Sequence, residues 1–291
     1  MAAAATPPMI DDTVIEIEEM QTQSASIVAV KAAEALRELT EREYPTASEF
    51  VRDLERNSSA LQRANRSHAP LHTSQSRIVE AVAEPEPVSV EAGKERLREA
   101  IDAVVTEIES SKREAGERAA GLIEDGDTLL THENSSTVMA ALEAALEEGK
   151  RFDLYVTESR PRFLGRRTAR RLADRDGVDV TLIVDSAAGH YLSECDRVFV
   201  GMNCLVDDIV YNRIGTYGIA LAADERGVPV TVVASSAKFI GGGFTFENTH
   251  RAAAEVMLEP ADGFAIANPS YDATPTRFLD SVVTENAVIE F

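Results

Sequence analysis

At 291 residues the chain is long enough for one large domain or two, and 44% hydrophobic residues are sufficient for a buried core. Fifty acidic residues against 29 basic ones give a formal net charge of −21, which argues against binding nucleic acid or an anionic membrane through bulk charge. Only five of the 29 basic residues are lysine. This acidic, lysine-poor composition predicts a halophilic protein, with an ordinary acidic bacterial or archaeal protein as the alternative.

Two cysteines, Cys195 and Cys204, are too few for a disulfide framework, and neither belongs to a zinc-type C-x-x-C pair. We expect both to be inert packing residues. The N-terminus has neither a basic region nor a long apolar core, and no run of 18 apolar residues occurs. The sequence therefore predicts a soluble, cytoplasmic protein.

The first 120 residues carry helical patterns only. Residues 1–14 are assigned to a disordered tail, the first 12 having no apolar periodicity, and residues 17–43 predict a helix that Pro45 ends. Thr46 and Glu49 form a capping box that starts the next helix. Further helices are predicted over residues 73–82 and 89–123. Residues 15–120 are therefore expected to form an all-helical domain.

Strand-like runs begin near residue 127 and alternate with helical patterns. The strands are predicted at residues 128–131, 152–157, 178–184, 197–202, 228–234 and 263–267, and the helices at 135–148, 164–175, 187–193 and 214–225. This alternation is typical of an α/β domain with a Rossmann-like open parallel sheet and helices on both faces, here over residues 121–291.

The stretch 203–213 is the first candidate for a site. It follows the strand at 197–202, precedes a helix, and carries acids, amides, an arginine and a tyrosine. Ligands of open parallel sheets bind beyond the carboxyl ends of the strands, where free N–H groups at helix N-termini attract anions.

Five ordered segments resemble one known family. They are residues 121–173 with the run Thr131-His132-Glu133-Asn134-Ser135-Ser136, Asp185-Ser186, residues 212–223, residues 235–239 and residues 268–289. Together they resemble the family that unites the α, β and δ regulatory subunits of translation initiation factor 2B with ribose-1,5-bisphosphate isomerase and methylthioribose-1-phosphate isomerase. The resemblance implies a helical N-terminal domain, a Rossmann-like C-terminal domain and dimers formed through the C-terminal half.

The catalytic pair implied by the isomerase branch is altered in this chain. By the resemblance, Glu133 stands at the position of a catalytic cysteine and Asn203 at that of a catalytic aspartate. An amide does not exchange protons usefully near neutral pH, and a carboxylate differs from a thiol in pKa and size. A phosphate-gripping Arg-Gly-Ala-Gly loop aligns with Gln23–Ser26, where the arginine and both glycines are missing.

Other pocket positions of the family are retained. The resemblance implies that a ligand would contact Asn134, Ser135, Ser136, Arg160, Asp185, Asn212, Arg213 and Lys238. Capping of the following helix is the alternative for Asn134–Ser136, and surface ion pairing for the arginines. Asp207-Asp208 is a further, less favoured candidate for a displaced base. His132 and Glu133 lack a third ligand, so we predict no metal, and no cofactor is indicated.

Two functions follow from this pattern. The leading interpretation is a regulatory-subunit-like protein that binds a sugar phosphate or nucleotide and a protein partner. The resemblance implies initiation factor 2 as that partner. This interpretation favours a protein without catalytic activity. The alternative is a ribose-1,5-bisphosphate isomerase of nucleoside catabolism that uses Glu133 as its acid/base. A homodimer or higher oligomer is expected, with Phe278, Leu279, Val282 and Val283 spaced for packing against the partner.

Overall fold

The computed structural model of the chain describes residues 9–19, 25–66, 68–240, 246–259 and 262–291. The chain divides into two compact units, one ending at Ser110 and the other beginning at Ser111. This division falls inside the longest helix, α6 (Val90–Ala120), whereas the sequence placed the boundary after residue 120. The predicted fold class, a helical region followed by an α/β domain with a mostly parallel sheet, is confirmed.

The first unit is helical and has its own core. Its helices are α1 (Ile10–Glu18), α2 (Ala25–Ala35), α3 (Glu38–Glu41), α4 (Ala47–Ala64), α5 (Ala69–Ala83) and the first part of α6. Their apolar faces bury Leu36, Phe50, Leu54, Ile78 and Leu97, among others. The Thr46 hydroxyl accepts a hydrogen bond from the Glu49 N–H at 3.2 Å, so the predicted cap of α4 is confirmed.

Two details of this unit differ from the prediction. Helix α1 begins at Ile10, within the stretch expected to be disordered, while residues 1–8 lie outside the described residues. The single helix predicted over 17–43 is wrong, because α2 ends at Ala35 and the next two N–H groups bond to carbonyls three residues back. Of the stretch 23–26, residues 23 and 24 are likewise not described, and Ala25 and Ser26 open α2.

The second unit is built on a seven-stranded sheet. Its strands are β1 (Thr128–His132), β2 (Phe152–Thr157), β3 (Val178–Ile183), β4 (Arg197–Val200), β7 (Val230–Val233), β9 (Ser281–Val283) and β10 (Val288–Glu290). They lie in the order β10-β9-β7-β4-β1-β2-β3. The helices are α7 (Ser136–Glu147), α8 (Gly165–Leu172), α9 (Ala188–Tyr191) and α10 (Thr216–Arg226). All pairs are parallel except β9–β10.

Alternate side chains of the central strands point into two different cores. Leu129 packs in a cluster with residues of α7 and the end of α6, whereas Leu130 packs in a cluster with residues of α9 and α10. Helices therefore cover both faces of the sheet. For the same reason β7 is buried at every position and is apolar except at Thr231.

The C-terminal strands were missed in the sequence. Residues 263–267, predicted as a strand, have no regular structure, and the chain continues instead into β8 (Tyr271–Pro275), β9 and β10. Leu279, Val282 and Val283 are buried in the cores of the chain itself. The expectation that these three side chains pack against a partner is therefore wrong, since they are covered within the chain.

The polar stretch 203–213 is a β-hairpin, not a loop. Strands β5 (Cys204–Val206) and β6 (Ile209–Arg213) pair antiparallel, and β8 adds a third strand beside β6. Asp207 and Asp208 form the exposed turn, both with positive φ, as a tight hairpin turn requires. Five residues of extended chain put this turn about 17 Å from Arg213, and the role of these two residues as a displaced base stays a prediction.

Three smaller expectations can be compared with the structure. Both cysteines are buried and free, and burial raises the pKa of each thiol to about 12, so the prediction of inert packing residues is confirmed. Within the described ranges, no helix combines the length and the hydropathy needed to cross a membrane. Those same ranges contain no group of three or more His, Cys, Asp or Glu side chains that could hold a metal ion.

Candidate functional site

The candidate site lies where the strand order of the main sheet reverses. Strands β1 and β4 are neighbours, but β1 leads outward through β2 to β3, whereas β4 leads to β7 on the other side. The carboxyl ends of two such strands diverge and leave a crevice for ligands. Glu133 directly follows β1, and Asn203 follows β4 after two residues, so the strand pattern brings these two predicted residues to one edge.

A buried ion pair joins Glu133 to Arg213 at this edge. The Arg213 Nε donates to Glu133 Oε2 at 3.2 Å, and the two side chains are only 14% and 10% exposed. Burial works against the charge on Arg213, but the nearby charges of Tyr271 and Glu133 and hydrogen bonds to both raise its pKa. A hydroxyl from α8 supports the pair, since Thr168 Oγ1 donates to the Glu133 carbonyl at 2.8 Å.

Lys238 is the second buried cation close to Glu133. Its Nζ donates to the Met202 carbonyl at 2.7 Å, next to Asn203. Burial lowers the pKa of Lys238 to about 8, although the charge of Glu133 acts in the opposite direction. A lysine with this pKa can either donate or accept a proton near neutral pH.

His132 is fixed by two hydrogen bonds. Its Nδ1 lies 2.6 Å from Thr157 Oγ1, and its Nε2 lies 2.9 Å from the Ile214 carbonyl. Gly215 packs against this ring, and its φ of +108° together with the ring atom 2.9 Å from where a Cβ would stand requires glycine. The sequence did not identify this structural bridge between β1, β2 and the start of α10.

The three residues predicted to present N–H groups at the start of α7 have different roles there. Ser135 Oγ accepts a hydrogen bond from the Val138 N–H at 3.4 Å, so Ser135 is the N-cap of α7. Asn134 Oδ1 accepts from Thr168 Oγ1 at 3.1 Å. Ser136 is the first helical residue. The capping alternative therefore holds for Ser135.

Asp185, just after β3, is bonded to the loop after β2 that carries Arg160. The Asp185 carboxylate accepts the backbone N–H groups of Ser159 and Arg160, each at 2.7 Å, so it shapes this loop. The Arg160 guanidinium donates to the Val256 carbonyl at 3.2 Å and stacks over the Phe163 ring.

The hairpin and α10 are tied together at Asn212. Its Nδ2 donates to Thr216 Oγ1 at 3.0 Å, and that hydroxyl donates to the Arg213 carbonyl at 2.7 Å. Asp272 from β8 accepts the N–H groups of Gly215 and Tyr217 at 2.7 and 3.0 Å. The N-terminus of α10, expected to attract a ligand anion, therefore already carries a carboxylate of the chain itself.

Comparison with known proteins gives the family. A profile of the Initiation factor 2 subunit family matches residues 21–290. The chain belongs to this family. Its relatives include the ribose 1,5-bisphosphate isomerase of Haloferax volcanii, 35% identical over 96% of this chain and 88% of that protein, and the enzyme of the same name from Methanocaldococcus jannaschii, 32% identical over 97% and 91%.

The family assignment extends to solved structures. The translation initiation factor eIF-2B of Pyrococcus horikoshii matches with a TM-score of 0.81 and 27% identity, covering 97% of this chain and 96% of that one. The resemblance noted in the sequence is thereby confirmed at the level of the family. The assignment of Glu133 and Asn203 to the catalytic positions of the isomerases stays a prediction, as do the implied ligand contacts.

Proposed function

We propose that this protein is a sugar-phosphate isomerase that converts ribose 1,5-bisphosphate into ribulose 1,5-bisphosphate. The observation that carries the proposal is the buried carboxylate of Glu133 at the strand switch point, with the cationic groups of Arg213 and Lys238 close to it. The names of the Haloferax volcanii and Methanocaldococcus jannaschii relatives support the same reaction. The names of these relatives do not support the interpretation, drawn from the sequence, that the protein is without catalytic activity.

The proposed reaction needs an acid/base pair at adjacent carbons. In net terms the hydrogen on C2 of the sugar moves to C1, the C1–O4 ring bond breaks, and the proton of the C2 hydroxyl moves to O4, which leaves a ketone at C2. In this proposal Glu133 carries a proton between these positions, and Lys238 is the acid that protonates the leaving oxygen. Arg213 orients Glu133 and screens its charge from the phosphates.

An assay of the purified protein tests this proposal. Ribose 1,5-bisphosphate is incubated with the protein in concentrated potassium chloride, and the formation of ribulose 1,5-bisphosphate is followed by phosphorus NMR. We expect turnover by the wild type, a loss of at least about 100-fold in Glu133→Gln, and no change in Glu225→Gln, an exposed carboxylate on α10. The absence of turnover in the folded wild type would overturn the proposal.

A second candidate is a non-catalytic member that binds a sugar phosphate or nucleotide and a protein partner such as initiation factor 2. The observation that favours it is the engagement of Glu133 with Arg213, which occupies the carboxylate before any substrate binds. The likeness to the Pyrococcus horikoshii eIF-2B structure agrees with it. Ligand-induced thermal stabilisation without turnover, together with recovery of initiation factor 2 in a pull-down at high salt, would favour this candidate over the isomerase.

Self-association is part of either proposal. We propose a homodimer or higher homo-oligomer, on the strength of the family alone, without the packing role first given to Leu279, Val282 and Val283. Light scattering in multimolar potassium chloride is the test, and a monomer there would refute the proposal.

A further inference from the structure

A cleft beside the candidate site concentrates arginine side chains in an otherwise acidic protein. Arg160, Arg162, Arg213 and Arg251 line it, together with Ser270 and Asn268 and a mainly apolar wall. Of the described residues that line the cleft, none is acidic. The stretch 159–173, which begins at the cleft, holds six arginines and no acidic residue, against a net charge of −21 for the chain.

The guanidinium groups in the cleft repel one another. Burial lowers the pKa of Arg162, and the charges of Arg251, Arg213 and Arg167 lower it further, while Glu255 acts in the opposite direction. The carboxylate of Glu255 is already engaged, because both of its oxygens accept from Arg251 Nε at 2.9 and 3.0 Å. It also forms an ion pair with Arg162, at 3.9 Å from the Arg162 Nε, so two guanidinium groups share one carboxylate. A bound anion would relieve this repulsion.

A hydroxyl without a partner points to the same kind of ligand. Ser270 is 5% exposed, and its Oγ has no hydrogen-bond partner among the described residues. A buried hydroxyl left unsatisfied is unfavourable, and a ligand oxygen would satisfy it. Arginine forks and a hydroxyl are the donors that recognise phosphate oxygens, since a guanidinium can donate two parallel hydrogen bonds to them.

We infer that the arginine cleft is a phosphate-binding site and that it holds a phosphate group of a sugar phosphate whose carbon atoms lie at Glu133. The link between the two places is Arg213, which lines the cleft and is paired with Glu133. Arg162, Arg251 and Ser270 are the new ligand-binding residues in this inference. Its second half, the sugar at Glu133, rests on the proposed isomerase function, whereas phosphate binding by the cleft does not.

Calorimetric titration with inorganic phosphate and with ribose 5-phosphate, in potassium chloride of constant ionic strength, tests the inference. We expect both ligands to bind the wild type, and the dissociation constant to rise at least about tenfold in Arg162→Gln and about threefold in Ser270→Ala. Arg162→Lys should be intermediate, because it keeps the charge and loses the fork. The control Arg175→Gln removes the same charge at an exposed position before the amino end of β3 and should bind as the wild type does.

The possible results separate this inference from the proposed function. If the wild type binds neither ligand, the cleft is not a phosphate site. The same conclusion follows if Arg162→Gln and Ser270→Ala bind the ligands as tightly as the wild type does. Binding that depends on Arg162, without isomerisation of ribose 1,5-bisphosphate, would support the cleft and remove the isomerase. Isomerisation with an unchanged KM in Arg162→Gln would leave the isomerase standing and overturn the cleft. Equal affinity for the two ligands would overturn the contact with the sugar.

Discussion

The Glu133 carboxylate and the Arg213 guanidinium meet at 3.2 Å in the interior of the second unit, although 80 positions separate them in the chain. Glu133 follows the central strand β1, and Arg213 ends the hairpin strand β6. The pair therefore fixes the hairpin against the switch point of the main sheet. It also places a negative and a positive charge where the ligand of an open α/β sheet binds.

Removal of Glu133 alone should destabilise the protein. Glu133→Ala leaves the buried Arg213 without its carboxylate, which costs about 3–5 kcal/mol of unfolding free energy. The double variant Glu133→Ala/Arg213→Met should recover most of this loss while staying inactive. Urea unfolding in potassium chloride measures both. A loss below about 1 kcal/mol in the single variant would contradict a buried ion pair.

The pKa of Lys238 predicts a pH dependence with a definite sign. Because its pKa is about 8, the ammonium is present below pH 8 and is lost above it, so kcat/KM should fall as the pH rises through about 8. Lys238→Met should be inactive. Lys238→Arg, if it turns over at all, should lose this alkaline limb, since arginine stays charged. A profile that is flat from pH 7 to 9 in the wild type would remove Lys238 as the acid.

The same pKa predicts that the contribution of Lys238 to stability rises with pH, whereas its contribution to activity falls. The unfolded lysine keeps its proton up to about pH 10.5, whereas the folded protein releases it near 8. The unfolded state thus binds more protons between these values, so the contribution of Lys238 to the unfolding free energy rises with pH across this window. Thermal unfolding of the wild type and Lys238→Met between pH 7 and 10 should show this rise in the wild type only.

Much of the second unit could be predicted from the sequence because the central strands of its sheet are largely buried. Strands β1, β2, β4 and β7 are largely apolar, and once they were located, Glu133 and Asn203 fell at the carboxyl ends of two of them. The strands β9 and β10 have three residues each, too few for a periodicity to be recognised.

Contacts between distant segments account for most of what was missed at the site. The carboxylate of Asp272 on the α10 N-terminus and the convergence of Arg162 with Arg251 both join parts of the chain that share no local pattern. The hairpin β5–β6 was taken for a loop because its polar residues mask the alternation of buried Val206 and Val210. Sequence periodicity reports burial along one element, and these features depend on the packing between elements.

Two glycines near the site should respond in opposite ways to a methyl group. At Gly165 a Cβ would stand 1.8 Å from the Thr157 carbonyl oxygen, so Gly165→Ala must displace the end of β2 and should cost about 3 kcal/mol. At Gly218, inside α10, a Cβ would meet nothing within 4 Å, and Gly218→Ala should stabilise by about 0.5–1 kcal/mol. Urea unfolding of the two variants checks both signs, and equal effects would contradict the close approach of α8 to β2.

The net charge of −21 predicts a stability that rises with salt. Repulsion among acidic side chains opposes the compact state, and its range falls from a Debye length of about 10 Å at 0.1 M salt to about 3 Å at 1 M. We propose that the melting temperature increases between 0.1 and 2 M potassium chloride, and much less in sucrose at matched osmolality.

The triple variant Asp174→Lys/Asp179→Lys/Glu225→Lys changes three exposed acids and brings the charge from −21 to −15, since each substitution adds +2. Its melting temperature should be higher at low salt and should rise less with potassium chloride, because less repulsion is left to screen. An identical salt dependence in the wild type and the triple variant would show that charge repulsion is not what the salt relieves.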